Sequence, residues 1–268
     1  MPIAKLPNQV EMYYEIHGQG EPFVLINGLK SDHSGWAPML DILKEQFQVI
    51  LLDNRGVGQT KDDGKAFLTD DMADDVIHLM GYLKIESAYI AGHSMGGAIA
   101  QRIAYIAPEK VKKLFLCNTF IQFNDVARRA FENVLECYKN NASRAEIIDA
   151  VIPWVFVDGF VTLELRKLIH DQVNADPLWQ SKEDYARQLH ALNMFDSSEW
   201  IGKITVPTVV IGSKADKTAL PKESESLAEK MNADLVMLEG GHASAVEQSV
   251  AFSDIFLTHA QRRCGCAM

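Results

Sequence analysis

Residues 88–97 read Ala88-Tyr89-Ile90-Ala91-Gly92-His93-Ser94-Met95-Gly96-Gly97. The first four are a short apolar run that suits a strand buried on both faces. From Met95 onward, Ile99, Ile103 and Ile106 recur at helical spacing, and Pro108 ends the pattern near Ala107. Ser94 therefore sits on an abrupt turn from strand to helix. A serine there is strained, and the residues two positions away must be small to let the chain double back. Gly92 and Gly96 meet that demand, and Gly97 lets the helix pack closely. The hydroxyl then projects from the sheet edge beside the positive end of the helix. A glycine-rich turn with an incidental serine is the alternative, but it does not require a strand before and a helix after.

The flanking sequence repeats the strand pattern. Phe23-Val24-Leu25-Ile26 ends at Asn27-Gly28, Val49-Ile50-Leu51-Leu52 ends at Asp53-Asn54-Arg55-Gly56, and Leu114-Phe115-Leu116-Cys117 follows the helix. Between them, Met72, Val76, Met80 and Leu83 mark a second helix, with Thr69 as the expected N-cap and Asp70 and Asp71 in an acidic first turn. Strand–helix alternation of this kind predicts an α/β chain with a parallel sheet and helices on both faces. Thr208-Val209-Val210-Ile211 and Leu235-Val236-Met237-Leu238 resume it. Residues 121–200 do not fit: Phe131-Val134-Leu135-Tyr138 and Tyr185-Leu189-Leu192 are helical, with no strand-like run between glycines. This block is too long for one crossover and reads as an insertion, two extra crossover helices being the alternative.

The whole chain has 268 residues, which at about 150 per domain allows one or two. With 47% hydrophobic and 23% charged residues it is neither disordered nor fibrous. A net charge of −10 argues against nucleic acid or an anionic membrane as partner. No basic segment followed by an apolar run suggests a secretory leader, and no window suggests a bilayer span, so a cytoplasmic location is expected. Four cysteines are no disulfide framework. Cys264-Gly265-Cys266 supplies too few ligands for a structural zinc and does not match a prenylation signal, so no metal is expected.

A serine hydroxyl is a weak nucleophile and needs a base, which in turn needs an orienting acid. A nucleophile elbow takes them in the chain order serine, acid, histidine. Asp216 follows the strand at 208–211, and His242 follows Glu239-Gly240-Gly241 after the next. Both fall at carboxyl ends of parallel strands, where open α/β sheets place their sites. Asp53 is the rival acid, although its setting before Asn54-Arg55-Gly56 resembles a loop brace. The remaining histidines read as structural or exposed, with His93 pointing away from Ser94. Negative charge on a reacting carbonyl oxygen calls for fixed N–H donors. The residue after the nucleophile, Met95, and the loop after Ile26, at Leu29, are the expected main-chain donors, their side chains shaping the pocket wall.

On Asn27-Gly28-Leu29, residues 53–58, residues 92–97, Asp216 and Gly241-His242, the chain resembles the α/β-hydrolase family along nearly all its length. Within it, the chain is most similar to 3-oxoadipate enol-lactonases and related carboxylesterases. The resemblance implies an α/β-hydrolase fold, a mostly parallel central sheet flanked by helices, formed by residues 1–120 and 201–268. Residues 121–200 become an inserted helical cap over the site. The family commonly has His-Gly where this chain has Asn27-Gly28, which leaves the backbone donor intact. Ser94 separates the chain from haloalkane dehalogenases, whose nucleophile resembles an aspartate.

The expected function is hydrolysis of a small-molecule carboxylic ester or lactone: Ser94 attacks, His242 accepts its proton, and Asp216 orients the imidazole. Activity then rises as pH climbs through the titration of the histidine. No cofactor is expected, since no glycine stands at Lys61 to complete a dinucleotide fingerprint and no Walker-type loop is present. In the cap, Trp154 is the candidate substrate contact, and an aromatic, apolar lining favours an uncharged ester. The same triad also serves carbon–carbon hydrolysis or perhydrolysis, and a small-molecule receptor could keep it without turnover.

Overall fold

Period-two alternation sorts the strand side chains onto two faces. Val24, Ile26, Ile50, Leu52, Leu114, Leu116 and Val210 enter one buried cluster, whereas Phe23, Leu25, Val49, Leu51, Phe115, Cys117, Val209 and Ile211 enter another. A sheet apolar on both faces must be covered on both, and helices do so.

The computed structural model describes residues 2–261. The strands are β1 (Ile3–Lys5), β2 (Glu11–His17), β3 (Glu21–Ile26), β4 (Phe47–Leu52), β5 (Ala88–His93), β6 (Val111–Cys117), β7 (Thr208–Ser213) and β8 (Asp234–Leu238). They form one sheet in the order β1-β2-β4-β3-β5-β6-β7-β8. β1 and β2 pair antiparallel, as do β2 and β4, and all other pairs are parallel. The helices are α1 (Ala37–Leu43), α2 (Thr69–Tyr82), α3 (Met95–Ile106), α4 (Asp125–Lys139), α5 (Arg144–Val155), α6 (Leu163–Ala175), α7 (Lys182–Asn193), α8 (Pro221–Met231), α9 (Ser244–Glu247) and α10 (Ser249–Gln261). Met72, Val76, Ile99 and Ile103 of α2 and α3 join the first cluster, and Met39 of α1 with Phe252 and Phe256 of α10 joins the second.

After β3 the chain moves outward to β4, then returns to place β5 on the other side of β3. Loops leaving β3 and β5 therefore diverge, and a crevice opens between them. Ile26 pairs with Gly92 in register, which brings Gly28 and Ser94 together at its mouth.

Details differ from the sequence expectation. β1 and β2 escaped it, because β2 is interrupted by Glu11, Glu15 and His17 and resembles no buried run. Thr69 is the first helical residue of α2, not its cap; the cap is Leu68, whose N–H donates to the Asp71 carboxylate at 2.7 Å. α3 stops at Ile106, with Ala107 as its C-cap. Between β6 and β7, residues 121–200 hold α4–α7 and no strand. Phe131, Val134, Tyr185 and Leu189 from these helices lie in the same buried cluster as α2 and α3. Among the described residues, no helix is long and apolar enough to cross a membrane. Cys264, Gly265 and Cys266 lie outside the described residues.

Candidate active site

Ser94 adopts φ 56° and ψ −120°, the strained turn read from the sequence. The glycines around it are sterically required. A Cβ on Gly92 would come 2.1 Å from the Gly96 carbonyl oxygen, and one on Gly96 the same distance from the Ile26 carbonyl oxygen. One on Gly97 would lie 2.5 Å from the Thr119 side chain, which itself donates to the Ser94 carbonyl at 2.8 Å. The turn is thus clamped between β3 and β6.

His242 and Asp216 arrive from the ends of β8 and β7. His242 Nδ1 donates to Asp216 Oδ2 at 2.8 Å, and both side chains are buried. Asp216 Oδ2 also accepts from Asn118 Nδ2 at 2.9 Å, while Oδ1 accepts the Thr218 and Ala219 N–H groups at 2.7 and 2.9 Å. Burial alone would raise this carboxyl. The adjacent imidazole and these donors outweigh it, and the group is held below the usual aspartate range.

Ser94 and His242 line one cavity of about 240 Å³ with Asn27, Gly28, Leu29, Phe123, Phe131, Val151, Val155, Phe156 and Tyr185. Among the described residues no hydrogen bond yet joins the Ser94 hydroxyl to the imidazole. Such contacts often tighten only around substrate. With Nδ1 committed to Asp216, the other ring nitrogen is the one left for proton transfer. Leu29 borders the cavity, and among the described residues neither the Leu29 nor the Met95 N–H is engaged by another protein group.

Two expectations need correction. Trp154 does not line the cavity. Residues on a helix turn about 100° apart, so Val151 and Val155 share the cavity face while Trp154 packs on the core and accepts Thr218 Oγ1 at its carbonyl, 2.9 Å away. The Met95 side chain is wholly buried in the core and forms no pocket wall. His93 is structural, in line with the sequence reading: its Nε2 donates to the His242 carbonyl at 2.8 Å and its ring lies 4.8 Å from the His242 ring. Asp53 does brace a loop. It accepts the His33 and Gln59 N–H groups at 2.8 Å each and pairs with the His33 ring.

Asn118 went unseen. It is fully buried, stands at φ 45° after β6, and ties Asp216 to Ser213 and Ser244. Its only sequence signal is a polar residue at the carboxyl end of a buried parallel strand. Glu247 was also missed. It accepts the Gly241 N–H at 2.6 Å and the Val157 N–H at 2.7 Å, joining the His242 loop to the segment after α5.

Two expected results follow. A Cβ at Gly28 would stand 3.0 Å from Ser94 Cβ and 3.5 Å from its Oγ. Gly28→Ala should therefore lower kcat/KM by about tenfold or more while shifting the melting temperature little, because the crowding falls on Ser94 Cβ, the carbon that carries the candidate hydroxyl, and on the His93 carbonyl beside it. A lower melting temperature with unchanged activity per folded molecule would assign Gly28 a purely structural role. Second, burial and the neighbouring His242 push the His93 imidazole down to about 4. The folded chain thus resists a proton that the unfolded chain accepts near pH 6.5. Stability from this group is complete above about pH 6.5 and declines as pH falls toward 4. Urea unfolding of wild type and His93→Gln should differ in their loss of stability between pH 7 and pH 4.5, on the order of 2 kcal/mol less for the variant. Parallel losses in both proteins would remove His93 as the cause.

The family model for the alpha/beta hydrolase fold matches residues 21–150. "Putative carbamate hydrolase RutD" of Serratia proteamaculans (strain 568) is 30% identical over 255 residues, covering 92% of this chain and 94% of its own. Its namesake in Stutzerimonas stutzeri (strain A1501) is 28% identical over 261 residues, covering 95% and 98%. The crystal structure of the enol-lactonase from Burkholderia xenovorans LB400 superposes with a TM-score of 0.88 at 27% identity, over 97% of this chain and 100% of that one. Sheet order, elbow and these similarities agree, and the chain belongs to the alpha/beta hydrolase family.

Proposed function

We propose that the protein is a serine hydrolase of carboxylic esters or lactones. The observation that carries this reading is the buried Asp216–His242 pair sharing one apolar cavity with a serine held at a strained strand-to-helix turn. Ser94 Oγ bonds to the acyl carbonyl carbon as its proton passes to His242. The Leu29 and Met95 N–H groups hold the oxyanion, a role that lowers such barriers by about 3–4 kcal/mol per donor. Collapse breaks the bond to the leaving alkoxide, which takes the proton from His242; in a lactone the ring opens instead. Water then gives a proton to His242 and attacks the acyl-enzyme, and Ser94 regains its hydrogen as the carboxylic acid leaves. Asp216 keeps the ring oriented and stabilises the imidazolium throughout.

In this reading α4–α7 are a cap, and Val151, Val155 and Phe156 shape the acyl pocket in place of Trp154. Cyclic esters are favoured by similarity to the enol-lactonase. A carbamate is the second reading, favoured by the names of the relatives at 28% and 30% identity, and it asks the same attack of Ser94. The test is a hydrolysis panel of short and long acyl esters, lactones and alkyl carbamates on wild type and Ser94→Ala in parallel. Turnover that disappears in the variant supports the proposal, and the best class names the substrate. Equal rates in both proteins, or no turnover in either, overturn it.

A further inference from the structure

Tyr185, Gln188, Leu189 and Leu192 follow one another at helical spacing on the buried face of α7. Tyr185, Leu189 and Leu192 are what such a face requires. Gln188 is an amide, yet its side chain is fully withdrawn from water. A buried amide is tolerated only where its hydrogen bonds are made. Here they are made to the main chain of two distant loops. Gln188 Nε2 donates to the Arg55 carbonyl at 2.6 Å, and its Oε1 accepts the Lys30 N–H at 3.0 Å. An acceptor facing one end and a donor facing the other fix the orientation of the amide. Buried Gln180 backs it, with Nε2 donating to Gln188 Oε1 at 2.9 Å and to the Gly56 carbonyl at 2.6 Å. Beside it on the helix, Arg187 pairs with Asp62 at 2.9 Å.

The Lys30 N–H is a sensitive place to hold. The Ser31 N–H donates to the Gly28 carbonyl at 3.3 Å, so residues 28–31 form a turn with Leu29 and Lys30 at its centre. Lys30 stands at φ +66°, a conformation that such turns normally give to glycine at this position. Turning the Leu29–Lys30 peptide plane over would relieve that strain and would exchange the directions of the Lys30 N–H and the Leu29 carbonyl. The Asn27 carbonyl is fixed by Asn54 Nδ2 at 2.8 Å, so the adjustment would fall on Gly28 and Leu29. Leu29 carries the proposed oxyanion donor, and Gly28 lies against Ser94. Gln188 can accept the Lys30 N–H only while the turn keeps its strained form.

We propose that Gln188 is a positioning residue for the oxyanion hole. By accepting the Lys30 N–H it keeps the 28–31 turn left-handed and the Leu29 N–H directed at the cavity, so the hole is complete only while α7 is seated on the loops after β3 and β4. The proposal rests on the serine-hydrolase reading above. It gives α7 a part in the chemical step as well as in enclosing the substrate. Gln188 itself is not among the residues that line the cavity, and it acts through the main chain of Lys30.

The test is hydrolysis of p-nitrophenyl acetate and butyrate by wild type, Ser94→Ala, Gln188→Met and the double variant Gln188→Met with Lys30→Gly. Gln188→Met should lower kcat and kcat/KM together, by about ten- to hundredfold, with KM little changed, as for a contact made only in the transition state. Glycine takes the left-handed conformation freely, so Lys30→Gly should restore most of that loss, a rescue that a merely structural role for Gln188 would not allow. Should Gln188→Met fail to fold, the single variants Lys30→Gly and Lys30→Val decide. Both remove the ammonium, but a β-branched residue resists the left-handed turn, and kcat of Lys30→Val should be lower by about tenfold or more. Amide exchange followed by NMR reads the loop without turnover: the Lys30 N–H should exchange about tenfold or more faster in Gln188→Met. Unchanged kcat in Gln188→Met, a loss that Lys30→Gly leaves in place, or equal rates in Lys30→Gly and Lys30→Val overturns the proposal. Turnover that persists in Ser94→Ala, or is absent from every protein, condemns the serine-hydrolase reading instead. The exchange measurement then decides whether Gln188 holds the turn, and an unchanged Lys30 rate overturns that as well.

Discussion

Ser94→Ala should cut turnover of the best ester or lactone by roughly 10⁴–10⁶-fold while the protein keeps its fold and much of its affinity for that ligand. The change removes one oxygen from a residue whose neighbours are arranged around its backbone. Gly92, Gly96 and Gly97 set the turn, and Thr119 holds the Ser94 carbonyl. None of these contacts involves the hydroxyl. Loss of the proposed nucleophile leaves the Leu29 and Met95 N–H groups and the cavity in place, so a small residual rate over water is expected from positioning alone. Steady-state kinetics and a melting curve on the same preparation check both halves. A loss of less than about tenfold, with folding intact, would mean that another group attacks the carbonyl.

Asp216→Asn is the second large effect, with an expected fall in kcat of about 10⁴-fold, by analogy with the corresponding change in a well-studied triad. Its two oxygens accept four hydrogen bonds, from His242, Asn118 and the Thr218 and Ala219 N–H groups. An amide has one acceptor end. If that end keeps the two backbone donors, the NH₂ faces His242 and Asn118, and two donors meet where an acceptor stood. The imidazole must then carry its proton on Nε2, the nitrogen that in the proposed mechanism takes the proton of Ser94. The buried mismatch with Asn118 also costs about 1–3 kcal/mol of stability. A variant with near-normal kcat would show that His242 needs no orienting acid.

The parts of this molecule readable from sequence are those written in one residue type or one period. Six strands announced themselves as apolar runs closed by turn formers, because a parallel strand buried on both faces leaves no room for polar interruption. Ser94, Asp216 and His242 were readable because chain order and strand ends restrict where such groups can stand, and the Asp216–His242 hydrogen bond agrees with that reading. What stayed hidden depends on direction. Trp154 and Val155 are equally apolar in sequence, and only the rotation of α5 against the sheet decides which one faces the cavity. Asn118 and Glu247 carry no motif, since their hydrogen bonds reach residues 98 and 90 positions away in the chain. β2 looked polar because its Glu15 and His17 pair with each other beside the sheet edge.

The most direct test of the account is to treat the protein with a fluorophosphonate, digest it and locate the adduct by mass spectrometry. The account predicts phosphonylation on the peptide that carries Ser94, none in Ser94→Ala, and much slower labelling in Asp216→Asn. An adduct on another residue, or undiminished labelling of Ser94→Ala, would contradict it.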